Sequence, residues 1–161
     1  MPSNLPSSQN NNPITDVSSE NLTCNVGGTT GAGTATLNVP IGGTLTFEWH
    51  QHSARNGEDP LGPSHKGPVL VYIAKAPGSV SSFDGKGSVW TKIFEWGLGK
   101  HLSIGYAYRV DAQRMVVNPS SNEWATDVVN TQGGKHTVAL PYSLPAGEYL
   151  VRESLSRSLT K

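Results

Sequence analysis

The chain has 161 residues, with 12 basic and 12 acidic side chains that leave a formal net charge of zero. The length fits one domain, and the neutral charge argues against a nucleic-acid binder, which presents a basic face. Apolar runs stay shorter than the roughly 18 residues that a membrane-spanning helix needs. Residues 1–12 are polar and lack the charged and apolar regions of a signal peptide, so the sequence by itself predicts no export.

The first half of the chain predicts strands separated by turns. Residues 1–13 resemble an extended lead-in, and residues 34–39 are a strand candidate closed by Pro40. Residues 44–50 follow a Gly-Gly turn and alternate between apolar and polar side chains, which predicts a strand with one wet face. Residues 51–67 then form a long polar loop, a kind of segment that is often functional.

The second half predicts a buried central strand and three more strand candidates. Residues 68–74 are apolar on both faces, which is typical of a central strand. After a loop at residues 77–88, the remaining strand candidates are residues 89–96, 135–140 and 148–152. No segment predicts a convincing helix. Frequent glycine and proline (18 and 11 residues) between Val/Thr-rich runs favour an all-β domain, and we expect an immunoglobulin-like or fibronectin-like β-sandwich with long loops.

Histidines are the candidate metal ligands. His50 and His52 are two residues apart, so on a continuing strand they would share one face and hold a metal; two solvated histidines are the alternative. His65 lies between prolines and glycines at the mouth of the central strand, where it is either a ligand or a loop histidine bonded to backbone. His101 and His136 are expected at the surface. A Gly-x-Ser-x-Gly motif is absent, and no histidine neighbours the single cysteine, Cys24.

Several blocks, in order, resemble the fungal cellulose-active lytic polysaccharide monooxygenases of auxiliary activity family nine. The longest is SHKGPVLVYIAK at residues 64–75. The other blocks are NPITDV at 12–17 followed by CN at 24–25, TFEW at 46–49, WTKI at 90–93 and LPAGEYLVR at 144–152.

This resemblance implies a secreted, monomeric copper enzyme that cleaves cellulose or a related β-glucan oxidatively, with an external electron donor. In that family a histidine brace holds one copper ion through an N-terminal histidine and a second histidine in the Ser-His-Lys-Gly-Pro segment. His65 is therefore implied as the internal copper ligand and as a catalytic residue.

The sequence also departs from the family pattern. No histidine precedes His50, and residues 98–121 and 153–161 match nothing in the family, so we expect one catalytic domain over residues 1–161 that is incomplete at both ends and lacks terminal strands. Cys24 would pair with a late cysteine that this sequence lacks. We hypothesise that the two foreign segments are translated introns; ordinary loop variation is the alternative for the first.

On these grounds we expect this chain to be inactive as written, because one histidine does not make the brace. A noncatalytic carbohydrate-binding module is the alternative, with Tyr106 and Tyr108, or Trp90 and Trp96, as its aromatic platform. Core packing is the competing role for the tryptophans. A nonfunctional mis-spliced fragment is the remaining alternative.

Overall fold

A computed structural model describes residues 12–29, 35–52, 57–101, 113–114, 117–118 and 123–155, with backbone alone for residues 100–101 and both two-residue segments. Strands dominate these residues. The strands are β1 (Thr44–Glu48), β2 (Val69–Lys75), β3 (Thr91–Trp96), β4 (Lys100–His101), β5 (Gln113–Arg114), β6 (Val117–Asn118), β7 (Lys135–Ala139) and β8 (Tyr149–Leu155). One α-helix, α1 (Ala125–Thr131), and two single-turn 3-10 helices, Glu20–Leu22 and Val80–Ser82, complete the elements.

The strands form one four-stranded sheet and two pairs. The sheet has the order β5-β3-β2-β8, and the pairs are β1-β7 and β4-β6. In the β1-β7 pair the strands are antiparallel, and Thr44 faces Ala139 while Glu48 faces Lys135. Residues 44–47 of β1 are alternately exposed and half-buried, as the period-2 pattern predicts, and the last residue, Glu48, is half-buried as well. The central position of β2 in its sheet accounts for its near-continuous burial.

The described residues fall into two compact units. The first is drawn from Met1–Asn38, Ile73–Thr91 and Pro145–Arg152. In this unit the Arg152 guanidinium donates to the backbone oxygens of Leu22 and Thr23, and its Cζ lies 4.6 Å from the centre of a Trp90 ring.

The second unit is drawn from Val39–Tyr72, Lys92–Leu144 and Glu153–Lys161, and it contains the candidate site. Its core consists of buried apolar side chains from three strands, α1 and one loop. They are Leu61, Val69, Val71, Ile93, Phe94, Trp96, Ala125, Val129 and Val138.

Two expectations about local structure are wrong. Residues 35–39 form no strand, and a helix, α1, exists where none was predicted. Val, Asn and Thr are weak helix formers, so propensity did not indicate α1. Its apolar face is buried and the Trp124 N–H donates to Asp127 Oδ2 (2.9 Å) at its start, so packing and capping stabilise the helix instead.

The other strand predictions are confirmed, with shifted ends. β1 stops at Glu48 rather than residue 50, and β8 continues to Leu155 rather than ending at Arg152. None of the helices in the described part of the chain has the length and apolar character needed to cross a bilayer.

Candidate functional site

His65 lies on the loop at residues 61–67, which we call the His65 loop; its ends are buried and residues 63–66 are exposed. Its backbone N–H donates to the Gly62 carbonyl (2.8 Å), and its ring Nδ1 lies 3.2 Å from the same oxygen. A carbonyl only accepts hydrogen bonds, so this contact requires the proton on Nδ1 and leaves the lone pair of neutral His65 on Nε2. A backbone carbonyl that orients a histidine in this way is typical of metal-ligating histidines.

The His65 ring packs so closely against residue 62 that only glycine fits there without displacing the ring. A Cβ at this position would lie 2.7 Å from His65 Nδ1 and 2.9 Å from Cε1, which is closer than real contacts allow. The absence of a side chain at residue 62 therefore lets the ring fold back onto its own turn and make the Nδ1 contact.

Helix α1 holds both ends of the His65 loop. At the first end, the Leu61 N–H donates to Asn130 Oδ1 (2.7 Å) and Asn130 Nδ2 donates to the Leu61 carbonyl (3.0 Å). At the other end, the Gly67 N–H donates to Thr126 Oγ1 (3.0 Å). The Lys66 ammonium also forms an ion pair with Asp127. Helix α1, which the sequence did not predict, thus positions His65, the candidate ligand that the sequence did predict.

His50 and His52 do not share a strand face, because β1 ends before them. His50 Nε2 lies 3.6 Å from Glu48 Oε1, and His52 Nδ1 lies 2.7 Å from Glu58 Oε1. Each ring is thus directed to a separate carboxylate, and this arrangement gives no support to a shared metal site.

His136 is not a surface residue, so that expectation is wrong; the side chain of His101 lies outside the described residues. His136 is only 5% exposed, and its Nδ1 bonds to Oε1 of the buried Glu153. Trp49 Nε1 donates to the other carboxylate oxygen, Oε2 (2.5 Å). The ring centre of His136 is 4.6 Å from that of Phe94. The alternation of β7 in fact places His136 on the same buried face as Val138, and the buried carboxylate that pairs with it comes from β8, 17 residues further along the chain.

The described residues fit one position of a copper brace. His65 presents an oriented imidazole nitrogen, the ligand type that copper favours. Across the described ranges, however, no three His, Cys, Asp or Glu side chains converge on a point where they could hold a metal ion. The described residues therefore do not form a complete site.

The aromatic residues considered for a sugar platform serve other roles or are not described. Trp96 is buried, 3% exposed, and Trp90 is half-buried with its Nε1 donating to the Gly85 carbonyl (2.7 Å). Packing is thus confirmed for Trp96. Tyr106 and Tyr108 lie outside the described residues.

Cys24, the lone cysteine, is half-buried. Burial raises the pKa of its thiol, and the nearby Arg152 guanidinium opposes that shift. A raised pKa keeps the thiol protonated and less reactive near neutral pH.

Comparison with known proteins identifies related sequences. The model of one family, described as Auxiliary Activity family 9 (formerly GH61), matches residues 2–156. An AA9 family lytic polysaccharide monooxygenase A from Aspergillus kawachii is 40% identical over 146 residues, which cover 90% of this chain and 29% of that protein. An AA9 family lytic polysaccharide monooxygenase B from Emericella nidulans is 38% identical and covers 91% of this chain and 33% of that protein.

Solved structures give the same result. The structure named CvAA9A has a TM-score of 0.73 and 30% identity, and the match covers 93% of this chain and 56% of that one. A cellulose-active polysaccharide monooxygenase from M. thermophila has a TM-score of 0.60 and 28% identity, with 91% and 54% covered. The all-β sandwich class predicted from the sequence is confirmed by these likenesses. The chain spans about a third of the length of the curated relatives and just over half of the solved structures.

Proposed function

The chain belongs to Auxiliary Activity family 9, and from that premise we propose that its function is copper-dependent oxidative cleavage of cellulose or a related β-glucan. The proposal includes secretion, a monomeric state and an external electron donor. We also propose that residues 1–161 belong to one catalytic domain, because β2, β3 and β8 each contribute residues to both compact units.

The observation that supports this function is the orientation of the His65 ring, which leaves one nitrogen available to bind a metal. The Gly62 carbonyl holds Nδ1, and α1 holds both ends of the loop through Asn130 and Thr126. Nε2 thus keeps its lone pair on an imidazole that is held in one orientation and exposed to solvent.

In this proposal His65 supplies one imidazole nitrogen to the copper ion. Copper, when bound, supplies the one-electron redox chemistry that activates oxygen or peroxide. The chain itself positions the ligand. The Gly62 carbonyl accepts from His65 and so fixes the proton on Nδ1, and the Lys66–Asp127 ion pair holds the loop against α1.

We propose further that the described residues by themselves do not support turnover. They supply one brace nitrogen, and among them no group of three candidate ligands is brought together. A metal held by one imidazole is weakly bound and poorly oriented, since copper sites require several ligands in a defined geometry.

Isothermal titration with Cu²⁺ tests the role of His65. We expect weak binding by this chain, with a Kd above about 1 μM, that His65→Ala weakens further and that His50→Ala leaves unchanged. Binding that is the same in His65→Ala and the parent chain would refute His65 as a ligand. Binding below about 1 μM that depends on His65 would refute the proposal that the site is incomplete.

A further inference from the structure

Two turns lie side by side at one end of the β1-β7 pair. In the first, the Gly43 N–H donates to the Pro40 carbonyl (2.8 Å), and in the second the Leu144 N–H donates to the Pro141 carbonyl (3.2 Å). A bond from the Leu140 N–H to the Gly43 carbonyl (2.8 Å) joins the two segments. The backbone at this end of the ribbon is therefore well defined.

Tyr142, in the second turn, lies against Gly42 of the first. A Cβ on Gly42 would be 2.3 Å from Tyr142 Cε1 and 2.6 Å from Cζ, so the ring occupies the space that a side chain would fill. Gly42 also has a φ of 70°, a conformation that favours glycine. The ring is thus seated on backbone, and yet Tyr142 remains 80% exposed.

Ile41, which precedes Gly42 in the chain, is 61% exposed. With Tyr142 it forms an exposed apolar pair, which we call the Tyr142 platform. The segments that carry it, residues 39–47 and 137–144, contain no charged side chain, although the whole chain has 24. The adjoining ribbon instead presents exposed hydroxyl groups, among them Thr46 Oγ1 and Thr137 Oγ1, which lie 2.8 Å apart.

The apolar ring, the uncharged segments and the exposed hydroxyl groups indicate which class of partner this surface binds. Nucleic acids and anionic membranes are bound through clustered Lys and Arg, which this surface lacks. A stable protein interface buries about 1,200 Å² or more, and two side chains do not provide that area. A neutral polymer with an apolar ring face and many hydroxyl groups matches the platform, because an aromatic face attracts C–H groups and neighbouring hydroxyls hydrogen-bond.

We propose that the Tyr142 platform is a secondary binding site for one or two sugar rings of an uncharged glucan chain. It lies at the opposite end of β7 from α1, the helix that holds the His65 loop: the turn after α1 leads into Lys135, whereas Tyr142 follows Ala139, about 14 Å along the strand. That the polymer is a glucan rests on the proposed function, whereas the existence of a binding site is inferred from the geometry of the Tyr142 platform.

One stacked ring gives weak affinity, but a polymer offers many rings at once. A glucan already engaged elsewhere on the protein would present further rings at high effective concentration, and such linkage strengthens binding by about 10²-fold or more. The platform therefore acts as a tether. Because the ring is seated before binding, little side-chain freedom is lost on contact.

The test is retention of the full 161-residue chain on amorphous cellulose, with EDTA present so that copper plays no part. The variants are Tyr142→Ala, Tyr142→Trp, and Val17→Ala as a matched control, because Val17 is 87% exposed and lies in the other unit. We expect Tyr142→Ala to lower the partition coefficient about tenfold, and Tyr142→Trp and Val17→Ala to retain it. Titration with cellohexaose, followed by NMR of the backbone amides, should shift Gly42 and Ser143.

Equal retention of Tyr142→Ala and the parent chain would overturn the proposal, and so would an absence of binding by the parent chain. Thermal melting checks that every variant is folded; at an exposed turn we expect no shift. The His65→Ala chain separates the two proposals. Retention by this variant together with loss of its copper affinity supports both, whereas unchanged copper affinity refutes the role of His65 and leaves the platform supported.

Discussion

His65 and His136 belong to the same compact unit and differ in the properties that decide what a histidine can do. His65 is exposed on a loop, and its Nδ1 contacts the Gly62 carbonyl. His136 is 5% exposed in β7, where the Glu153 carboxylate accepts from its Nδ1 and the Phe94 ring packs against it. One ring is oriented and left accessible, and the other is enclosed.

The difference shows that a hydrogen-bond partner does not by itself assign a role to a histidine. A buried imidazole beside a carboxylate satisfies a polar requirement of the core, since an unpaired partner there would be costly. A loop imidazole held through a backbone carbonyl keeps a nitrogen for a ligand. Accordingly, we expect changes around His136 to act on stability and changes around His65 to act on metal binding.

The largest effect is expected from Glu153→Leu. Removing the carboxylate leaves His136 Nδ1 and Trp49 Nε1 buried without their acceptor, which should lower the free energy of unfolding by about 3–5 kcal/mol. Urea denaturation measures the change. The control is Glu95→Leu, which breaks an exposed pair with Lys92 and should cost less than about 1 kcal/mol. Equal losses in the two variants would contradict the structural role of Glu153.

The next effect is expected from Asn130→Leu, which removes both bonds between α1 and the Leu61 backbone. We expect a loss of about 1–3 kcal/mol, because the backbone N–H and carbonyl lose their partners. Amide hydrogen exchange should also accelerate at Leu61. Thr131→Val, on an exposed part of the same helix, is the control and should change stability by less than about 0.5 kcal/mol.

Gly62→Ala should affect metal binding more than stability. The added methyl group displaces the His65 ring and breaks the Nδ1 contact, so we expect copper affinity to fall about tenfold. Gly78→Ala is the matched control, since a Cβ at Gly78 meets nothing within 4 Å. Titration of both variants with Cu²⁺ decides the question, and equal affinities would show that the carbonyl contact does not orient the ligand.

The smallest effect on stability is expected from His65→Ala. Its ring is exposed, and truncation removes one surface contact, so the unfolding free energy should change by less than about 0.5 kcal/mol. Thermal melting followed by circular dichroism measures this. A large loss of stability would show that His65, like His136, supports the fold, and would contradict the separate roles that we assign to the two histidines.

Local patterns were sufficient for much of the fold. Alternation in residues 44–48 predicted β1, and the continuous apolar run predicted β2. They were insufficient for α1, because residues 125–131 have weak helix propensity and become helical by burying Ala125 and Val129. Of the strand predicted at residues 34–39, residues 35–39 form none, because β-rich composition does not create a pairing partner.

By itself the sequence determined the family resemblance and the all-β class, and it singled out His65 as the candidate ligand, because these depend on short motifs and on the order of blocks along the chain. Only the tertiary structure decided that α1 positions the His65 loop, that His136 is buried on Glu153, and that Tyr142 lies exposed on Gly42. Each of these pairs joins residues from 17 to 100 positions apart. Contacts between such distant positions form through packing of the folded chain, and no local pattern encodes them.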